Sequence, residues 1–167
     1  MQARKICMLG AFAVGKTSLV SRFVRGIYSE KYLSTIGIKI DRKPVDLGRS
    51  AVELILWDLA GEDDFVSVQT RYLRGSAGYL LVADGTRPDT LETALILRRR
   101  VVAELGELPF VLVLNKADLT DRWQLGRHDE QNYLGLRDLA LGTLLTSAKT
   151  GDAVEAAFNL LARETTA

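Results

Sequence analysis

Apolar residues along the chain follow two alternating patterns. Residues 4–9, 78–83 and 110–114 are mostly apolar runs of strand length, as expected for strands covered on both faces. Residues 36–47 and 51–57 read as two strands joined by the turn Gly48-Arg49-Ser50, and 143–146 as a short last strand. Between these runs the period lengthens to that of a helix. Leu19, Val20, Phe23 and Val24 share one face of a helix over 18–24, and Leu91, Ala94, Leu95, Val102 and Leu105 mark a stripe over 91–105. Val154, Ala157, Phe158 and Leu161 keep the i, i+3, i+4, i+7 spacing within 152–163. The stretch 124–142 is less periodic, with one helix expected near 130–139. The alternation predicts an α/β fold: an open, six-stranded, mostly parallel sheet with helices on both faces, three layers in all. No repeat, low-complexity tract or linker interrupts it, so residues 1–167 are expected to form one domain. Ligands of such sheets bind beyond the carboxyl ends of the strands.

Composition removes several function classes. The net charge of +1 offers no excess that would attract nucleic acid or an anionic membrane. Arg98-Arg99-Arg100 is the one dense basic run and is expected to be a solvated helix face. The lone cysteine, Cys7, lies in an apolar run; it excludes an internal disulfide, reads as a small buried hydrophobe, and suits a reducing, cytoplasmic setting. The one histidine, His128, has no second histidine or cysteine near it, so a metal site of that type is not expected. There is no apolar stretch of transmembrane length and no signal peptide at the start. The ending Glu164-Thr165-Thr166-Ala167 lacks a prenylation cysteine, so the expectation is either no direct membrane anchor or a tail outside this sequence. Nothing points to an obligate oligomer, and a monomer is the default.

Two motifs carry the chemistry. Gly10-Ala11-Phe12-Ala13-Val14-Gly15-Lys16-Thr17 matches the phosphate-binding pattern G-x-x-x-x-G-K-[ST], between a buried strand and a helix. The fold expectation thereby sharpens to the P-loop NTPase three-layer fold. Backbone N–H groups from Ala13, Val14, Gly15, Lys16, Thr17 and Ser18 would curl around phosphates, aided by the positive end of the helix. Lys16 would reach the β- and γ-phosphates, and the Thr17 hydroxyl would bind Mg²⁺, a hard cation that takes oxygen ligands. Asn115-Lys116-Ala117-Asp118, at the carboxyl end of the 110–114 strand, selects the base. The Asp118 carboxylate can accept hydrogen bonds from guanine N1–H and its exocyclic amine; adenine would leave it unpaired.

With Asp58-Leu59-Ala60-Gly61, Ser147-Ala148-Lys149 and Thr35 in Ser34-Thr35-Ile36-Gly37, the five boxes occur in the order of Ras-superfamily small GTPases. The chain resembles that family over nearly its whole length. Thr35-Ile36-Gly37, Trp57-Asp58 and Arg71-Tyr72-Leu73-Arg74-Gly75 are similar to Rab-type sequences. The resemblance implies a GTP/GDP switch with magnesium and assigns further roles. Thr35 would bind Mg²⁺ and the γ-phosphate, Asp58 would hold Mg²⁺ through a water, and the Gly61 N–H would sense the γ-phosphate. Tyr28 would pack across guanine and ribose, the Ala148 N–H would meet guanine O6, and Asn115, Lys116, Ser147 and Lys149 would complete the base site. Lys16, Thr35, Gly61 and residue 62 form the expected catalytic set. Effectors, an exchange factor or an activating protein would bind switch I (28–37) and switch II (61–73), with Leu33, Ile36 and Phe65 as anchors.

Two positions depart from the family and bear on catalysis. Glu62 replaces the usual water-orienting glutamine and is followed by Asp63 and Asp64. A carboxylate can hold a water or take its proton, yet it adds negative charge beside a phosphate, and the sign of the effect stays open. Phe12 occupies a loop position that is usually small. Its ring either crowds the space above the γ-phosphate, where an arginine finger would enter, or turns outward onto the switch regions. The expectation is slow hydrolysis with a poor response to such a finger. A GTP-binding interaction module with little hydrolysis is the alternative; an ATP-dependent enzyme is disfavoured by Asp118.

Overall fold

The computed structural model describes residues 1–31, 37–59, 70–126 and 130–167. Six strands, β1 (Gln2–Gly10), β2 (Ile38–Asp46), β3 (Ala51–Leu59), β4 (Ser76–Asp84), β5 (Phe110–Asn115) and β6 (Gly142–Leu145), form one sheet in the order β2-β3-β1-β4-β5-β6. Only β2 runs antiparallel to its neighbour; every other pairing is parallel. Among the described residues four α-helices accompany them: α1 (Lys16–Arg25), α2 (Asp89–Leu105), α3 (Glu130–Leu139) and α4 (Val154–Glu164). Among the described residues no helix is long and apolar enough to cross a membrane.

Period-2 alternation in the strands builds two cores, one on each face. Ile6 and Met8 of β1, Leu80 and Val82 of β4, and Val111 and Val113 of β5 pack with Leu19 and Phe23 of α1 and Ala157 and Phe158 of α4. The intervening residues Cys7, Leu9, Leu81, Ala83, Leu112 and Leu114 pack with Leu91, Ala94, Leu97 and Val101 of α2 and Leu136 of α3. Phe23 stacks on Phe158 with ring centroids 4.1 Å apart, joining α1 to α4. Cys7 is fully buried, as its apolar neighbours predict, with its sulfur 3.1 Å from the Ser76 hydroxyl.

The α2 stripe differs from the sequence expectation. Its buried face is Leu91, Ala94, Leu97 and Val101, while Leu95, Val102 and Leu105 are only partly buried. The expected solvated run also divides. Arg99 is exposed, but Arg98 is buried, paired with Glu107 at 3.1 Å and lying over the Phe110 ring. Its long stem packs like an apolar residue, and the charge is met by an acid from the loop that follows the helix. The observed bounds of β1, α1 and β4 extend the predicted segments by one to two residues at each end, within the usual spread of element ends.

Strand order sets where a ligand can sit. From β1 the chain builds β2 and β3 on one side, then β4, β5 and β6 on the other. The carboxyl end of β1 is therefore the topological switch point, the crevice where ligands bind in open α/β sheets.

Candidate functional site

The phosphate-loop residues lie in that crevice. β1 stops at Gly10 and α1 begins at Lys16, and the turn between them needs left-handed backbone at Ala13 (φ 60°) and Gly15 (φ 104°). At Gly15 an added Cβ would also lie 2.2 Å from the Asn115 amide nitrogen, so only glycine fits. Lys16 is almost fully buried, and its ammonium donates to the carbonyls of Gly10 (2.7 Å) and Ala11 (3.1 Å). Burial pushes its pKa down to about 8, and the charge of Asp58 opposes that shift.

Asp58, near the end of β3, accepts a 2.6 Å hydrogen bond from the Thr17 hydroxyl. It is 1% exposed, and its Oδ1 has no hydrogen-bond partner among the described residues. Burial raises its pKa, while the Thr17 bond and the charges of Lys16 and Lys39 act the other way. A hydroxyl and a buried carboxylate with an unused oxygen are hard donors on adjacent elements. That pair fits an oxygen-coordinated cation such as Mg²⁺.

The Asn115–Asp118 segment is tied to the same loop. The Asn115 amide donates to the Val14 carbonyl (2.9 Å) and accepts from the Thr146 hydroxyl (3.0 Å), bridging the phosphate loop and the end of β6. Lys116 holds a left-handed backbone (φ 68°), donates to the Ala13 carbonyl (3.0 Å) and pairs with Asp84 at 2.8 Å. Asp118 accepts from the Ser147 hydroxyl at 2.8 Å, and that hydroxyl in turn accepts from the Thr150 N–H at 3.1 Å. Ala148 is buried, and the exposed Lys149 pairs with Glu30 at 3.1 Å, which raises its pKa.

A cavity of about 380 Å³ opens over these elements. Phe12 through Ser18 form one wall, residues 27–31 another, and Lys39 and Lys116 close it. Tyr28 lines it, and so does Phe12, half-buried beside Lys16 and Thr17. Asn115, Asp118, Ser147 and Ala148 lie outside this lining and connect to it through Lys116 and the hydrogen bonds above. Thr35, Gly61, Glu62, Asp63, Asp64, Leu33, Ile36, Phe65 and His128 lie outside the described residues.

Four contributors escaped the sequence reading. Arg22 of α1 donates to the Ala148 carbonyl at 2.8 Å and to the Lys149 carbonyl, so the helix that starts at the phosphate loop also clasps the 147–149 loop. Its signal was spacing: it lies four residues, about one turn, after Ser18. Asp84 ends β4 in register with Asn115 and is buried. Burial would raise its carboxyl, but hydrogen bonds from Lys116 and Thr86 hold it below the usual carboxylate range. Arg87 pairs with the same acid (3.0 Å) and donates to the Phe12 carbonyl (2.8 Å). An acid closing an apolar strand marked this network. Lys39 gave no signal, because its place depends on how β2 pairs with β3.

A mostly parallel sheet with a strand–loop–helix turn at its switch point, a buried lysine and a hydroxyl at the helix start is the fold of P-loop nucleotide-binding proteins. Residues 5–167 match the family model described as "Ras family". The chain is 35% identical over 162 residues to Ras-related protein Rab-17 of Mus musculus, covering 96% of this chain and 74% of the relative. It is 32% identical over 167 residues to Ras-related protein Rab-31 of Rattus norvegicus (96% and 82%). It is 31% identical over 161 residues to Ras-related protein Rab-8B of Homo sapiens (96% and 77%). The chain belongs to the Ras family and is a Rab-like small GTPase, a guanine-nucleotide switch that hydrolyses GTP.

Proposed function

We propose that one domain spanning the chain binds GTP or GDP with magnesium in the cavity beside α1, hydrolyses GTP slowly, and presents a different surface in each state. The observation that carries the slow rate is Phe12, which lines the same cavity as Lys16 and Thr17, with its carbonyl held by Arg87. On this reading the loop N–H groups and the Lys16 ammonium neutralise the phosphate oxygens, and Thr17 and Asp58 hold the magnesium ion, with Thr35 as a further ligand. The bound ion would offset charge on the β- and γ-phosphates. Asp118, Ala148, Lys116 and Lys149 face the base, and Tyr28 covers it. Water attacks the γ-phosphorus, the bond to the β–γ bridging oxygen breaks with its electron pair going to GDP, and the water's proton leaves with inorganic phosphate. Glu62 stands where the water is oriented. A ring above the γ-phosphate restricts both that side chain and any arginine supplied by an activating protein, a contribution of about 10³–10⁵ in rate elsewhere. Loss of the γ-phosphate releases switch I and switch II, and effectors and regulators read that change.

A single-turnover assay tests this. Protein loaded with GTP and magnesium is followed to GDP, alongside Phe12→Gly and Glu62→Gln. The parent should hydrolyse slowly, and Phe12→Gly should be about tenfold faster, a barrier lower by about 1.4 kcal/mol. An unchanged rate in Phe12→Gly with intact nucleotide binding removes the steric explanation. GTP that survives in every variant favours a nucleotide-stabilised interaction module.

A further inference from the structure

Lys39 and Asp58 face each other directly across the antiparallel β2–β3 pair. Opposed residues in such a pair point to one face with Cβ atoms about 5 Å apart. Here that face looks toward α1: Asp58 bonds Thr17, and Asp41, two residues after Lys39, pairs with Arg25. Lys39 lines the cavity together with Lys16, Thr17, Lys31 and Lys116. Among the described residues its ammonium makes no hydrogen bond on that face and only a long ion pair with Asp41. Arg25 takes Asp41 Oδ1, while Lys39 stands 3.9 Å from Oδ2, beyond hydrogen-bond length, and Oδ2 has no hydrogen-bond partner among the described residues. The side chain is 44% exposed, so it can swing between Asp41 and Asp58.

We propose that Lys39 is a built-in counter-cation for the magnesium site, one that neutralises Asp58 when the ion leaves and so keeps guanine nucleotide bound at low magnesium. This rests on the reading of Asp58 as a magnesium-holding residue. Without a cation, the buried Asp58 carboxylate stands beside the phosphates and repels them. An ammonium opposite it removes most of that repulsion, because a charge pair at this range in a partly buried setting changes an equilibrium by about tenfold or more. Lys16 cannot fill the role, since the same ammonium is required on the phosphates. Arg25 cannot either, since it is held on Asp41. While magnesium is bound, Lys39 stays with Asp41 and adds little to affinity. The lysine therefore sets how strongly release depends on magnesium, not how tightly nucleotide binds in its presence.

The test is release of a fluorescent GDP derivative from the full chain into excess unlabelled GDP, once with magnesium and once with a chelator. The quantity read is the ratio of the two rates. Lys39→Gln should speed release more in the chelator arm than in the magnesium arm, raising the chelator-to-magnesium ratio about tenfold over the parent, and Lys39→Arg should restore it. Far-UV circular dichroism and the magnesium arm together report whether each variant is folded. Equal ratios in parent and Lys39→Gln overturn the proposal. Equal acceleration of Lys39→Gln in both arms also overturns it and makes Lys39 a plain phosphate contact. Normal magnesium-supported binding with chelator-insensitive release in every variant overturns the magnesium reading beneath it. Failure of the parent to bind the derivative at all overturns the nucleotide reading itself.

Discussion

Arg22 shows how much one side chain can hold. Its guanidinium spans the carbonyls of Ala148 and Lys149 and also reaches Gly26 at the end of its own helix. Charged donors to carbonyls contribute about 1.5–3 kcal/mol each, more than neutral ones. Arg22→Ala should therefore speed GDP release with magnesium present by about tenfold, a loss of one such bond. Unchanged release with only a lower melting temperature would make Arg22 a general structural residue. Asp84 works on the other side of the loop, between Lys116 and Arg87. Removing one member of a buried ion network leaves the others unpaired, and Asp84→Asn should cost about 2 kcal/mol at neutral pH, discounted because both cations are partly exposed. Urea titration of the nucleotide-free protein measures it.

At the scale of elements, the loop after the short 3-10 turn Thr120–Arg122 is anchored on one glycine. Gly85 accepts from the N–H groups of Gln124 (2.8 Å) and Leu125 (3.2 Å) and lies against the Trp123 ring, where an added Cβ would sit 1.9 Å from a ring carbon. Gly85→Ala should displace Trp123 and lower stability by about 1–3 kcal/mol, the usual cost of overpacking. A thermal melt equal to the parent's would show that the ring moves aside freely. None of this was visible in the sequence, since Gly85 and Trp123 meet only after β4 and β5 have paired. The strands were legible for the opposite reason. Ile6 to Leu9 and Val111 to Leu114 are apolar on consecutive positions because helices cover both faces of the sheet. The phosphate-loop and Asn115–Asp118 residues were legible because local spacing and strand ends determine where they fall. The α2 stripe was misplaced because Leu95 and Val102 are as apolar as Leu97 and Val101, and only packing distinguishes them. Arg98 was misread because its partner, Glu107, lies beyond the helix.

For the whole molecule, acid response follows from the same buried carboxylates. Asp84 is held below its ordinary pKa, so its contribution is complete above the ordinary carboxylate range and is lost as pH falls below about 4. Asp58 is shifted upward, so its charged form costs stability at neutral pH and that cost is relieved on acidification. The acid limb of a stability–pH curve for nucleotide-free protein should therefore flatten in Asp84→Asn; a limb as steep as the parent's would assign it to other acids. The pairing of Lys16 and Arg22 on one helix has a mechanical outcome. They are six residues, about 9 Å, apart along a rigid rod, one bonded to the loop after β1 and one to the 147–149 loop. A partner that tilts this rod would shift both loops in a single motion, so neither could be displaced while the other stays in place.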